Sequence, residues 1–451
     1  MKKAVVFLAV VLLTFTAFAQ EADLDLDALV SSALEKNPRI KSLVDAARAS
    51  KFRIGPAGAL PDPVIGFGLK NMGLTRWTVG EEIMSEVGVT VSQMIPFPGK
   101  LSLRAEIAST QALRSEEDLR AARLELVRQI KELYARLFYY QRSIELLHQK
   151  KEVLEKALKL AELKYSVGTG AQPDIFRAKV EISGIDEMLL NMGQMIRTTT
   201  ANINALLAEP PDGPLGRPKE IPYQELTTDL GSLQSAAQDK SPLLKTAQLM
   251  IEEGETEVRM ARKEYYPNFM VQVGKGFKGA LPDMYEVMVG VEIPLYAKRK
   301  QANLLEESVS RLSGSRNEYA SMRNEVGFMI TESYTMARTA GDLVDLYKNK
   351  ILPQARFAYE SSLANYQTGK VDFLMLVSDI TNLFTYETEY FRNLSSLWAS
   401  AAKLEELTSL ELLSPPKEAA SVTGSGGPSR QIDERRERDG KNGYEIKKER
   451  S

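Results

Sequence analysis

One turn occurs twice in this 451-residue chain. Tyr165-Ser166-Val167-Gly168-Thr169-Gly170-Ala171-Gln172-Pro173-Asp174-Ile175-Phe176 interrupts a long helical pattern that resumes at once. Tyr366-Gln367-Thr368-Gly369-Lys370-Val371-Asp372-Phe373-Leu374 does the same about two hundred residues later, and a fixed offset of this kind marks a duplication. Glycine just past a helix end supplies the left-handed backbone that closes it, and a following Pro or Asp opens the next helix. Each turn is therefore expected to be the tip of an antiparallel helical hairpin.

The segments that lead to the tips set the scale. From Ile95-Pro96-Phe97-Pro98-Gly99-Lys100 to Tyr165, and from Ile293-Pro294-Leu295-Tyr296 to Tyr366, two stretches are expected to be unbroken helical rods. Each would span on the order of 100 Å at the helical rise, more than a globular domain can bury. In the first rod Val127, Ile130, Tyr134, Leu137 and Ile144 fall at alternating three- and four-residue steps, with Gln141 and His148 on the same track and Leu126, Leu133 and Tyr140 beside it. Two apolar seams fit a stave with a neighbour on either side.

Before each rod the period changes from helical to alternating. Ile65, Phe67 and Leu69 alternate with Gly66 and Gly68, and Val87, Val89 and Val91 with Gly88, Thr90 and Ser92. Phe269, Val271 and Val273, then Tyr285, Val287, Val289, Val291 and Ile293, do so in the second half. An apolar face backed by a small or polar one suits a lipid-facing barrel with a wet lumen, and equally a soluble sheet with one solvated face.

The ends and the composition limit the context. Lys2 and Lys3, an apolar run to about Phe15, and Ala17-Phe18-Ala19 read as a cleavable leader, which is expected to send the chain out of the cytoplasm. No later run approaches the ~20 apolar residues of a spanning helix, so membrane insertion would require a barrel. A formal net charge of -2 gives no argument for nucleic acid, and the absence of cysteine excludes disulfides, thiolate metal sites and an N-terminal lipid-anchored cysteine.

The expected layout is a leader over 1–19 and a first repeat over 20–208, with strands near 63–70 and 86–95 and a tip at 165–174. A linker over 209–225 leads to a second repeat over 226–413, with strands near 267–275 and 284–294 and a tip at 366–374. A disordered tail over 414–451 ends the chain.

Few motifs carry chemistry. Gly274-Lys275-Gly276-Phe277-Lys278-Gly279 matches a dinucleotide fingerprint, but another strand follows where a helix is required, so a hairpin loop accounts for the glycines. The single histidine, His148, reads as a packed seam residue. Met188, Met192 and Met195, and Met322, Met329 and Met336, offer thioethers at helical spacing, for which core filling is the commoner use. No nucleophile–base pair has the context of an active site, and no cofactor is expected. Asp174, Asp372 and Asp379 lie at the tips, where they serve as caps or, in a ring of copies, as an acidic constriction.

Four strands do not close a membrane barrel, so copies must combine; two would fill their interior with side chains, and three would leave a lumen. In these features the chain resembles the TolC-type outer membrane efflux proteins over roughly 26–410. The resemblance rests on the duplicated layout, the proline-rich strand exits, and both tip motifs: Tyr165-x-x-Gly168 leading to Asp174, and Tyr366-x-x-Gly369-Lys370-Val371-x-Phe373-Leu374 leading to Asp379. Gln93-Met94-Ile95-Pro96-Phe97-Pro98-Gly99-Lys100 looks most like the heavy-metal cation branch.

That resemblance implies a mainly α fold with a small β part, built from a duplicated helix-strand-strand-helix-helix unit. As a homotrimer it would form a twelve-stranded transmembrane β-barrel continuing into a long α-helical periplasmic barrel. It implies a passive exit duct in the bacterial outer membrane for heavy-metal cations or drugs, not an enzyme. Its partners would be outer-membrane lipid, a periplasmic adaptor and an inner-membrane resistance-nodulation-division pump. Tyr165, Gly168, Asp174, Tyr366, Gly369, Asp372 and Asp379 are the candidate gate residues at the tips. The competing expectation is a secreted or periplasmic coiled-coil structural protein whose strands form a soluble cap.

Overall fold

In a computed structural model, residues 23–73 and 75–413 are described; the leader over 1–19 and the tail over 414–451 lie outside them. The chain divides into two units, Met1–Pro415 and Pro416–Ser451, and every described residue belongs to the first.

The order of elements repeats. Helices α1 (Leu26–Lys36) and α2 (Pro38–Gly58) lead to strands β1 (Val64–Lys70) and β2 (Glu86–Ile95), then to α3 (Lys100–Ser166) and α4 (Gln172–Leu206). Helices α5 (Leu230–Lys240) and α6 (Pro242–Lys263), strands β3 (Asn268–Phe277) and β4 (Met284–Glu292), and helices α7 (Gln301–Leu346), α8 (Leu352–Gln367) and α9 (Phe373–Thr408) follow. Asn37 caps α2 by accepting from the Arg39 and Ile40 amides, while Pro38 takes the first turn, where its missing N–H has no partner to lose.

The strands form one antiparallel sheet in the order β1-β2-β3-β4, so the two halves meet at β2 and β3. Register sorts the faces. Phe67, Val89, Lys275 and Tyr285 stand in one row and Ile65, Val91, Val273 and Val287 in another, whereas Gly68, Gly88 and Gly276 line up on the opposite face. A Cβ on Gly66 would meet Thr90 Oγ1 at 2.8 Å, so glycine there lets the threonine lie flat across the neighbouring strand. Phe67 is 79% and Val287 73% exposed, which leaves an apolar face bare in the single chain. Strand β4 stops at Glu292, before Pro294, which has no N–H to give to a ladder.

Helix α3 is 67 residues long, about 100 Å. It packs on α2 and α6 near the sheet and on α4 and α9 towards the tips. One core, centred on Ile130, Leu137, Ile203, Leu233, Ile330 and Trp398, lies between the sheet end and the tips, and Trp398 Nε1 donates to Pro222 O at 3.2 Å. A second core, with Leu154, Ile185, Tyr366, Phe373 and Ile380, fills the tip end.

Two expectations are corrected. The second rod is not one helix, because Pro353 lies within it. A π turn over Tyr347–Ile351 precedes the proline, and the Leu352 amide bonds back five residues to Tyr347 O. The wider turn relieves the clash between the proline ring and the carbonyl of the preceding turn. His148 is exposed rather than seated in a seam. Below Leu137 the buried track of α3 runs through Ser143, Leu146, Lys150, Leu154, Ala157 and Ala161, two residues out of phase with His148.

Candidate functional site: the hairpin tips and the sheet–helix junction

The two tips are built alike. Gly168 and Gly369 have φ of 76° and 75°, the left-handed region in which a Cβ is strained. The Gly168 amide donates to Tyr165 O and the Gly369 amide to Tyr366 O, while the Gly170 and Lys370 amides reach back to Lys164 O and Asn365 O, each at 2.9 Å. These bonds satisfy carbonyls at the helix ends. Ala171 and Asp372 then open α4 and α9, and Asp372 accepts from the Met375 amide at 2.9 Å.

The candidate gate residues separate into different environments. Tyr366 is buried, its ring centroid 5.5 Å from that of Phe373. Lys164, in the last turn of α3, places Nζ 4.7 Å from the centre of the Tyr366 ring. Burial pushes the Tyr366 hydroxyl above its ordinary pKa, and the charge of Asp174 adds to the shift. Asp174, in the first turn of α4, is half-buried. Asp379 accepts from Ser362 Oγ and joins α9 to α8, while Tyr165 is exposed. The structure thus brings Lys164, Asp174, Tyr366 and Phe373 together at one place. Asp372 is engaged as a cap, and Tyr165 faces outward.

Sequence reading missed Lys164, although a cation in the last turn of a helix is favoured by its carbonyl end and marks a residue available for such a contact. It also missed Arg356, whose Nη2 lies 3.2 Å from Glu387 Oε1 and ties α8 to α9 just past the π turn. Burial raises the Glu387 carboxyl, and the guanidinium opposes that shift.

At the opposite end of α3 the sheet is joined to the helices by a buried lysine. Lys100 is 1% exposed, and its Nζ donates to Glu264 Oε2 at 3.0 Å, Tyr266 O at 3.2 Å and Asn268 Oδ1 at 3.0 Å, which uses all three donors. Gly99, at φ 93°, turns the chain into α3 there. Phe97 stacks on Tyr266 at 4.5 Å, with Lys263 Nζ 5.4 Å from each ring centre. A lysine at a helix N-terminus opposes the dipole, and that anomaly was the sequence signal for a buried partner.

Among the described residues no three His, Asp or Glu side chains gather to hold a metal ion. Met188 and Met192 line one cavity beside α3, while Met322 and Met329 pack at the central core and Met336 is exposed. No helix among the described residues is long and apolar enough to cross a membrane.

Comparison with known proteins gives the same architecture. Residues 29–209 match the family described as outer membrane efflux protein. A curated relative, the cobalt-zinc-cadmium resistance protein CzcC of Cupriavidus metallidurans, is 20% identical, the match covering 86% of this chain and 91% of CzcC. Among solved structures, CusC is similar at a TM-score of 0.75 and 14% identity, covering 86% of this chain and 92% of that one. The outer membrane protein VceC of Vibrio cholerae is similar at a TM-score of 0.72 and 17% identity, covering 85% and 95%.

Proposed function

We propose that the chain is a member of the outer membrane efflux protein family, at home in the bacterial outer membrane with its helical part in the periplasm, and that three copies form the exit duct of a tripartite efflux pump; the match over residues 29–209 and the similarity to CzcC support this reading. The observation that carries this reading is the open sheet. Strands β1 and β4 are unpaired edges beside a bare apolar face. Lipid has no donors or acceptors for such edges, and single-chain barrels begin at eight strands. Three copies joined β4 to β1 supply twelve strands and a lumen, and their helices extend it into the periplasm.

The duct performs no chemistry. Energy comes from an inner-membrane pump of the resistance-nodulation-division type, reached through a periplasmic adaptor at the tips. The cargo is a divalent metal cation; the similarity to a protein named for cobalt, zinc and cadmium resistance supports this choice. Residues 20–208 and 226–413 act as the two repeats, and the hairpin tips move as the gate, with Tyr165, Gly168, Asp174, Tyr366, Gly369, Asp372 and Asp379 at the moving ends.

Light scattering on the protein extracted from outer membranes, with the detergent contribution subtracted, tests the assembly. A trimer that requires detergent is expected; a monomer or dimer that stays soluble without detergent overturns the duct and favours a coiled-coil structural protein.

A further inference from the structure

The buried track of α3 contains one residue that does not belong in an apolar seam. Lys150 is 7% exposed, one turn from Leu146 on one side and Leu154 on the other. Among the described residues it has no hydrogen bond or ion pair, and the carboxylate whose charge reaches it is Glu181 on α4. The side chain is mostly desolvated while its unpartnered ammonium keeps contact with water at the cavity, a position in which a counter-charge would offset the desolvation cost.

The lysine borders a cavity of about 250 Å³ over α3, between α4 and α9. Leu146, Leu147, Met188 and Phe384 give it apolar walls, and Thr381 and Thr385 contribute hydroxyls, while the neighbouring Thr388 Oγ1 is spent on Phe384 O. At its other end Arg392 is engaged by Glu389 at 2.8 Å and donates to the Tyr139 hydroxyl at 3.3 Å. Lys150 is therefore the lining cation that has no partner within the chain. Within the chain α3 lies between α4 and α9, with α8 on the far side of α9.

We propose that this cavity is a binding site for a small amphipathic carboxylate, its charged end on Lys150 and the threonine hydroxyls and its hydrocarbon stem against Leu146, Leu147, Met188 and Phe384. A single ammonium is a point charge that matches a monoanion; a phosphate dianion draws on the several donors of an arginine fork or a helix end. The volume lies below that of drug-sized sites, which sets the ligand at one charged group and a short stem. Burial lowers the lysine pKa, as an uncompensated cation requires, and a bound carboxylate would remove that penalty. The site lies within one chain, so it stands or falls apart from the assembly and cargo proposed above.

Equilibrium dialysis of labelled octanoate against the full-length protein in a non-ionic detergent, with protein-free micelles as blank, tests the site. Saturable uptake of one octanoate per chain is expected, with octanol and octyltrimethylammonium competing at least tenfold more weakly. Lys150→Met should weaken binding tenfold or more, and Lys150→Arg should retain it. The methionine variant removes an unpaired buried charge, so lost binding in a folded Lys150→Met protein is not a folding defect. Equal uptake by parent and Lys150→Met, or uptake no greater than the micelle blank, overturns the proposal.

Discussion

The ammonium of Lys164, in the last turn of α3, lies 4.7 Å from the centre of the Tyr366 ring, in the last turn of α8, so one hairpin tip holds the other. The tie has two parts of unequal size. Tyr366 fills the tip core against Phe373, and emptying such a site costs about 3 kcal/mol; the cation–π contact adds about 0.5–1 kcal/mol. Tyr366→Ala should therefore speed tryptic cleavage after Lys370 severalfold, Lys164→Met should alter it little, and Tyr366→Phe should leave it unchanged. Equal cleavage rates in Tyr366→Ala and the parent would show that the ring does not hold the tip.

Asp372 separates a cap from a charge. Its carboxylate accepts from the Met375 amide, and loss of such a cap costs about 1 kcal/mol. Asp372→Ala removes both cap and charge, whereas Asp372→Asn keeps the cap. In planar bilayers Asp372→Ala is expected to raise single-channel conductance. If the capped end of α9 is what restrains the tip, Asp372→Asn conducts like the parent. If the negative charge sets the constriction, the asparagine variant instead loses cation selectivity. Unchanged traces in both variants remove Asp372 from the gate.

These residues show where sequence reading succeeds. Gly168 and Gly369 are legible because only a left-handed turn needs glycine between two helical patterns, and Val87, Val89 and Val91 because alternation survives in any sheet with two unlike faces. Which of many apolar tracks on a 67-residue helix is buried is another matter. The track through Ile130 and Tyr134 is buried as expected, but farther along the seam follows Leu146 and Lys150 rather than Ile144 and His148. Two neighbours, α4 and α9, share α3 there, and their placement selects the phase. Lys100 was hidden for a similar reason: its three acceptors come from 264–268, far away in sequence. Pro353 was visible, yet a rod that continues through a proline depends on a π turn that local propensity does not announce.

Lys100 should be the least replaceable lysine among those discussed. All its donors are used inside, so Lys100→Met leaves Glu264, the Tyr266 carbonyl and Asn268 without their shared partner. Glu264 keeps some access to water, which limits the cost to about 2–4 kcal/mol. A lower apparent thermal midpoint in detergent is expected for Lys100→Met, and Lys100→Arg should not restore it, because a planar fork does not reproduce three converging contacts. By contrast Lys150→Met, which discards an unpaired buried ammonium, should be at least as stable as the parent at neutral pH. Equal losses in the two variants would contradict the assignment of partners.

Glu387 gives a pH dependence whose sign follows from its burial. Burial raises its folded pKa above the ordinary 4.5 despite the attraction of Arg356. A raised carboxyl binds its proton more tightly in the folded chain than in the unfolded one. Its contribution is therefore fully present below pH 4.5 and is lost as pH rises through the folded value. Glu387→Gln keeps the shape and removes the titration, so the stability difference between variant and parent should grow in favour of glutamine from about pH 4.5 upward and then level off. Apparent thermal midpoints of both proteins across pH 4 to 7 in one detergent read this directly. A parent that gains on the variant as pH rises would mean that Arg356, 3.2 Å away, outweighs burial and that the α8–α9 tie is a net stabilising ion pair.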